Sequence, residues 1–177
     1  MHRLAFIREE LEATIEIPDI NQSLERLAYH MENYLSRIYE LRERAAKLVA
    51  TCGDYQGSIG PLKGHGQRQQ VVNSLAINQI AKNQYLELLA ILDTDIALRN
   101  QNTHDTFLSL GYSTGYDIYN PHDALLDIQA ADPKKASELE KTLRDEISRI
   151  AQQYGKTIDR ATKITHQLLE HLDFAER

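Results

Sequence analysis

The chain has 177 residues, of which 42% are hydrophobic, and carries a formal net charge of −6. This length suffices for one domain with a substantial core, and we expect a single helical domain over residues 1–177. The acidic balance argues against a protein whose whole surface binds nucleic acid, so any nucleic acid must meet a local patch.

Cysteine content and hydropathy together favour the cytoplasm. Cys52 is the only cysteine, so an intrachain disulfide is impossible and a reducing compartment is the natural setting. The N-terminal residues open an amphipathic pattern instead of a signal peptide, and no apolar run approaches the length of a membrane span. We therefore expect a cytoplasmic protein without a membrane partner.

Two amphipathic helices are predicted in the first 50 residues. Apolar residues recur at helical spacing from Leu4 to Ile15, and Pro18 closes this short first helix. Candidate caps at Asp19, Asn21 and Ser23 precede a second, longer stripe. Its apolar positions are Leu24, Leu27, Met31, Tyr34, Leu35, Ile38, Leu41, Ala45 and Leu48, which predict a helix of about seven turns.

The stretch from Gly53 to Gly66 is too rich in glycine for a helix, and we expect a loop there. It matches neither the P-loop pattern nor the dinucleotide-binding fingerprint. A solvated loop is the preferred interpretation. The alternative is that Lys63, His65 and Arg68 contact RNA or another phosphate ligand.

A broad apolar face from Val71 through Leu98 predicts one central helix that runs into Arg99. Turn residues dominate after His104, and tyrosines such as Tyr112 and Tyr116 lie in the 111–121 stretch. These tyrosines either pack that connector against the helices or stack on RNA bases, and packing is the favoured alternative. Residues 122–129 could add one or two helical turns.

Asp132 and Pro133 form a strong helix start, and an apolar stripe then continues to Leu172. Gly155 within it suggests a bend or a close approach of another helix. Four prolines and eight glycines in the whole chain also favour long helices. The predicted fold is all-α, an up-and-down antiparallel bundle of three long helices plus one or two short helices. The excess length of the last helix suggests contacts in a homodimer.

Several metal and hydrolase sites are disfavoured by the residue spacing. A di-iron bundle needs Glu-x-x-His pairs, and no histidine here has a glutamate three residues before it. One cysteine cannot build a thiolate zinc site, and His166 with Glu170 would supply only two ligands. Cys52 lacks a nearby histidine, and no nucleophile elbow occurs. We expect no metal and no cofactor.

The most chemically suggestive stretch is Arg99-Asn100-Gln101-Asn102-Thr103-His104 at the end of the central helix. Arginine can hold a phosphate, and histidine can move a proton near neutral pH. Asp95 lies four residues before Arg99 in the order that favours a side-chain pair, so we expect it to orient that arginine. The alternative is a surface arginine paired with Asp95 and a histidine that caps a helix end.

Long antiparallel helices with an Arg-x4-His motif, in which a polar residue follows the arginine, resemble the HEPN superfamily (higher eukaryotes and prokaryotes nucleotide-binding). The architectural likeness covers roughly Asn21 to Leu172, and the motif covers Arg99 to His104. The family spacing ranges from Arg-x4-His to Arg-x6-His, and a bare Arg-x5-His spacing also occurs at Arg160 and His166, without the polar follower and without the helix end. Those two contexts favour Arg99 as the functional arginine.

The resemblance implies metal-independent RNA cleavage, with Arg99, Asn100 and His104 as catalytic residues. It also implies a homodimer in which two copies of the motif line one cleft, and a toxin or defence effector controlled by an antitoxin partner. Relatives regulated by an adenylylating antitoxin carry a tyrosine where this chain has Thr106, which departs from that pattern. One alternative function is a non-catalytic helical module that binds a nucleotide, RNA or a partner protein. Another is a structural bundle that uses its last helix only to assemble.

On a regular helix, Arg99 and His104 would lie about 140° apart around the axis. They would therefore not share a face. The sequence predicts that either the helix breaks near Asn100 or the pairing is made across a subunit interface.

Overall fold

The described residues form five α-helices and no β-strand. The computed structural model describes residues 2–56, 65–104 and 132–172. In chain order the helices are α1 (His2–Ile15), α2 (Ile20–Cys52), α3 (His65–Ser74), α4 (Gln79–His104) and α5 (Pro133–His171). None of them is both long and apolar enough to cross a membrane. The predicted all-α bundle, with three long helices and one or two short ones, is confirmed.

Side-chain caps fix the start of each long helix. The Asp19 carboxylate accepts hydrogen bonds from the backbone N–H groups of Asn21 and Gln22, at 2.8 and 3.0 Å, and so caps α2. The side-chain oxygen of Asn78 accepts one at 2.8 Å from the N–H of Ile80 and caps α4. Asp132 caps α5 in the same way. These contacts satisfy amides that the helix itself leaves without partners.

The prediction of one helix from Val71 through Leu98 is wrong, because the helix is interrupted between Ser74 and Gln79. The Ser74 hydroxyl donates to the carbonyl of Val71 at 2.7 Å, a local bond that competes with helix continuation. Asn78 then starts a new helix, and the Lys82 ammonium caps the end of α3 by donating to the Asn73 carbonyl at 2.8 Å. Leu75 stays buried across the break.

The expected loop from Gly53 to Gly66 also ends earlier than predicted, because α3 begins at His65. The end of α2 is a tight turn in which Asp54 has a positive φ of 53°. The Tyr55 N–H reaches back to the Ala50 carbonyl at 2.9 Å. This hydrogen bond satisfies a carbonyl of the last helical turn.

The helices pack into two units, of which the first comprises Met1–Tyr34 and Leu98–Ile158. Within it, Ser23 donates to the Thr14 carbonyl at 2.8 Å, and Arg26 pairs with Glu10 at 2.8 Å. The later residue on α2 contacts the earlier residue on α1, so the two helices are antiparallel. The buried rings of Tyr34 and Tyr154, 4.7 Å apart, join α2 to α5.

Arg144 of α5 anchors the turn between α1 and α2 in the same unit. Its guanidinium donates to the backbone carbonyls of Ile17, at 3.1 Å, and of Pro18. The Glu140 carboxylate holds that guanidinium at 2.8 Å. A single side chain thereby satisfies two carbonyls of an exposed connection.

The second unit comprises Leu35–Ala97 and Asp159–Arg177. Helices α3 and α4 are antiparallel there, because Arg68 pairs with Asp93 while Asn73 contacts Lys82. Gly53 at the end of α2 lies against Leu75. On the outer surface, Arg160 of α5 pairs with Glu87 of α4 at 2.9 Å. The second unit therefore draws on four of the five helices.

The predicted apolar stripes form most of the core. In α5 the stripe is buried at nearly every position, including Leu143, Ile147 and Leu168. In the C-terminal part of α2 the buried face is rotated relative to the predicted stripe. Leu41 and Leu48 are therefore half-buried, while Val49 is fully buried. In α4, Ile80 is exposed although it belongs to the predicted face.

Candidate functional site

The candidate motif occupies the last turns of α4. This helix is continuous from Gln79 to His104, so Arg99 and Asn100 lie on a regular helical backbone and His104 is its final residue. Their side chains lie outside the described part of the structure. Five residues on a regular helix correspond to about 7.5 Å along the axis and about 140° around it. The predicted alternative of a helix break near Asn100 is therefore wrong.

The turns before the motif are held firmly in the second unit. Tyr85, Leu88 and Leu92 of α4 are each at most 1% exposed. Their burial holds this part of α4 within the core of the unit. The motif thus follows a packed element, as the sequence predicted.

Asp95 lies one turn before Arg99 and is buried, with 5% of its surface exposed. A carboxylate withdrawn from water to this degree needs hydrogen bonds or an opposite charge nearby. This burial makes Asp95 a fixed point on the helix. Its role in orienting Arg99 stays a prediction.

The structure places Arg68 in an ionic cluster on the second unit. Its Nη1 atom lies 2.7 Å from Oδ2 of Asp93, and Nη1 of Arg42 lies 3.5 Å from Oδ1 of the same carboxylate. Nη2 of Arg42 also contacts Oε1 of Glu43 at 3.1 Å. The sequence singled out Arg68 as a phosphate contact and did not identify Arg42 or the role of Asp93.

Aromatic rings complete this cluster. The Arg42 guanidinium carbon lies 5.0 Å from the centre of the Tyr39 ring, within cation–π range. Tyr85 is 1% exposed, and burial raises the pKa of its hydroxyl well above the ordinary value. The guanidinium of Arg68 acts in the opposite direction on that pKa. The cluster therefore borders the buried interior of the second unit.

The other predicted ligand contacts lie outside the described part of the structure. Lys63, Tyr112 and Tyr116 lie outside the described residues. His65 begins α3, and its side chain is likewise outside the described part. Their proposed contacts with RNA stay predictions.

The second Arg-to-His spacing lies within α5 and not at a helix end. The Arg160 side chain is 61% exposed and pairs with Glu87, and His166 is exposed. This pair differs from Arg99 and His104 in its context, as the sequence indicated. It offers a matched control for experiments on the motif.

A buried histidine in the first unit has no counterpart in the sequence predictions. Nε2 of His30 lies 3.3 Å from Oε2 of Glu10, which also accepts a hydrogen bond from Arg26. Burial lowers the pKa of His30, although the Glu10 carboxylate opposes this effect.

In the described part of the chain, no three His, Cys, Asp or Glu side chains are grouped as metal ligands would be.

Comparison with models of protein families gives no match, and neither curated proteins nor solved structures give one. The likeness to the HEPN superfamily therefore rests on the Arg99–His104 motif and on its place in an all-α fold.

Proposed function

We propose that this protein is a metal-independent endoribonuclease of HEPN type. The observation that supports the proposal is the position of Arg99, Asn100 and His104 on the last turns of α4, directly after its buried segment. An arginine and a histidine that follow a rigid element can be held in a constant geometry, which catalysis of this kind requires.

In the proposed reaction, His104 takes the proton from a ribose 2′-OH, and the resulting oxygen attacks the adjacent phosphorus. Arg99 stabilises the negative charge that develops on the phosphoryl oxygens, and Asn100 orients the histidine or a phosphate oxygen. The bond to the 5′ oxygen of the next nucleotide breaks, and that oxygen takes a proton from water. The products are a 2′,3′-cyclic phosphate and a free 5′-hydroxyl.

The continuous helix makes this proposal depend on a second copy of the chain. Positions 99 and 104 of a regular helix lie about 140° apart around its axis, so the proposal does not rely on one copy to bring both side chains to one phosphate. A homodimer with two-fold symmetry would bring Arg99 of one copy to His104 of the other. The proposed active site is thus a cleft between two copies of α4.

A nuclease of this kind must be restrained in the cell that makes it. We propose a toxin of a toxin–antitoxin pair or a defence effector, active in the cytoplasm and controlled by a separate antitoxin protein. The acidic net charge of −6 means that RNA would be bound locally at the cleft.

Cleavage of RNA in the presence of a chelator tests the proposal. We expect wild type to cut single-stranded RNA, and Arg99→Ala and His104→Ala each to lower the rate by about 100-fold or more. The matched controls are Arg160→Ala and His166→Ala, which remove the second Arg-to-His spacing and should leave the rate unchanged. Intact RNA with wild type, or equal losses in the control pair, would refute the assignment.

A substrate with one 2′-deoxy linkage provides an internal test of the chemistry. That linkage should resist cleavage, because the attacking oxygen is missing. Cleavage there would rule out attack by the 2′-OH.

The competing function is a non-catalytic helical module that binds a nucleotide, RNA or a partner protein. Two observations favour this function. The net charge of −6 and the pairing of Arg68 with Asp93 both argue against an extensive RNA-binding surface. Binding of RNA by wild type without any cleavage would select this function.

A further inference from the structure

Two arginines in the second unit converge on one carboxylate while being largely withdrawn from water. Arg42 comes from α2 and Arg68 from α3, and their side chains are 13% and 15% exposed. Each guanidinium faces a different oxygen of Asp93, which lies on α4. Arginines at such burial are uncommon unless they are well paired.

Arg42 is poorly satisfied for a buried guanidinium. It offers five N–H groups, and its hydrogen bond among the described residues goes to Glu43 at 3.1 Å. Its contact with Asp93 is long, at 3.5 Å, and its Nε is buried with no acceptor in the described part of the chain. A buried donor without an acceptor is costly, and a bound ion is one of its ordinary explanations.

The two carboxylates lie on the more exposed side of the cluster. The side chain of Asp93 is 34% exposed and that of Glu43 is 31% exposed, about twice the exposure of either arginine. Glu43 is the immediate neighbour of Arg42 on α2, and adjacent residues do not share a helical face. Both acids therefore have surface in contact with water, and an anion that replaces them would keep the buried guanidiniums paired.

We propose that Arg42 and Arg68 form a binding site for a phosphate group, in which Asp93 and Glu43 take the place of phosphate oxygens in the free protein. Planar guanidiniums bind phosphate through paired hydrogen bonds, and a tetrahedral anion is large enough to bridge two of them. The ligand class is a small phosphate dianion, either free phosphate or the phosphate of a mononucleotide.

The charges explain why the site needs a displaceable acid. In the free protein the positive charges of the two guanidiniums equal the negative charges of the two carboxylates. A dianion that binds there must therefore displace at least one carboxylate. Removing the charge of Asp93 or Glu43 should then strengthen phosphate binding, whereas a purely structural cluster would only lose stability. An increase in phosphate affinity on removal of an acidic charge is the result that distinguishes the binding site from a purely structural cluster.

Isothermal titration calorimetry with inorganic phosphate and, separately, with AMP tests it at low ionic strength. We expect binding by wild type, loss of about tenfold or more in affinity for Arg68→Gln, and tighter binding for Asp93→Asn. Glu43→Gln should also bind more tightly and covers the case in which Asp93→Asn fails to fold. The control Glu146→Gln, which frees Arg149 at an exposed site, should not change the affinity.

Inorganic phosphate and AMP separate the two sources of the ligand. Equal affinity for both indicates recognition of phosphate alone, and tighter binding of AMP indicates a mononucleotide. The absence of binding to either probe at millimolar concentration would overturn the proposal. Unchanged or weaker binding in Glu43→Gln would overturn it as well.

This site does not depend on the proposed ribonuclease. Phosphate binding that is lost in Arg68→Gln while Arg99→Ala retains it would support the site even if RNA is never cleaved.

Discussion

The surroundings of His30 differ from those of a surface histidine. It is 5% exposed, and its ring and that of Tyr29 form a T-shaped pair with centroids 5.1 Å apart. Its Nε2 faces Glu10, and Arg26 contacts the same carboxylate oxygen. Loss of hydration lowers the pKa of His30, Glu10 raises it in part, and Arg26 lowers it further.

A lowered pKa makes the stability of the protein depend on pH. The unfolded chain takes up a proton near the ordinary value of 6.5, whereas the folded chain takes it up only at lower pH. Between these two values the unfolded state binds more protons, so acid favours unfolding. The contribution of His30 is fully present above pH 6.5 and is lost as the pH falls towards the folded pKa.

We expect His30→Gln to flatten this pH dependence. The measurement is the urea midpoint of wild type and variant at about pH 7.5 and about pH 5.5. His166→Gln, at an exposed position of α5, should keep the slope of wild type. An unchanged slope in His30→Gln would show that other groups govern the acid sensitivity.

Single residues were predictable from the sequence only where the signal is local. Asp132 could be assigned as a cap because the proline and the apolar stripe follow it directly. The pairing of Arg68 with Asp93 could not be, because 25 residues and a helix break separate them. Periodicity locates buried faces, but it does not determine which charges meet between helices.

At the level of elements, two glycines differ in the space that is available for a side chain. A β-carbon built on Gly155 of α5 would lie 4.0 Å from Cγ of Arg8, which is ordinary contact. One built on Gly53 would lie 2.9 Å from Cβ of Leu75 and 3.1 Å from the Val49 carbonyl oxygen. The close approach suggested at Gly155 is therefore loose, and the tight one occurs at the end of α2.

We expect Gly155→Ala to raise the free energy of unfolding by about 0.5–1 kcal/mol, since alanine favours the helix and fits the space. Gly53→Ala should lower it by about 1–3 kcal/mol, because Leu75 and the end of α2 must shift. Urea unfolding of both variants measures the two changes. Effects of the same sign would contradict the described packing.

The bounds of α1 and α5 could be predicted closely, because Pro18 and Asp132 lie beside strong apolar patterns. The break before α4 was missed, since the apolar face continues through Leu75 and conceals it. Ser74 and Asn78 carried the relevant signal. Their short polar side chains bond to the local backbone and compete with the helix.

For the whole molecule, the fold class followed from composition and periodicity, while its long-range contacts did not. Arg144 binds the carbonyl of Ile17 across 127 positions of sequence, and no local pattern encodes such a bond. The candidate active site belongs to this larger scale too. A continuous α4 leaves the proposed reaction dependent on two copies of the chain.

Mixing two inactive variants tests this composite cleft most directly. Purified Arg99→Ala and His104→Ala proteins would be combined, allowed to exchange subunits, and assayed on RNA, with each variant alone as the control. If each site takes Arg99 from one copy and His104 from the other, half of the dimers are mixed and each has one intact site. We expect recovery of about a quarter of the wild-type rate. No recovery after verified exchange, or a monomer that cleaves at the wild-type rate, would contradict it.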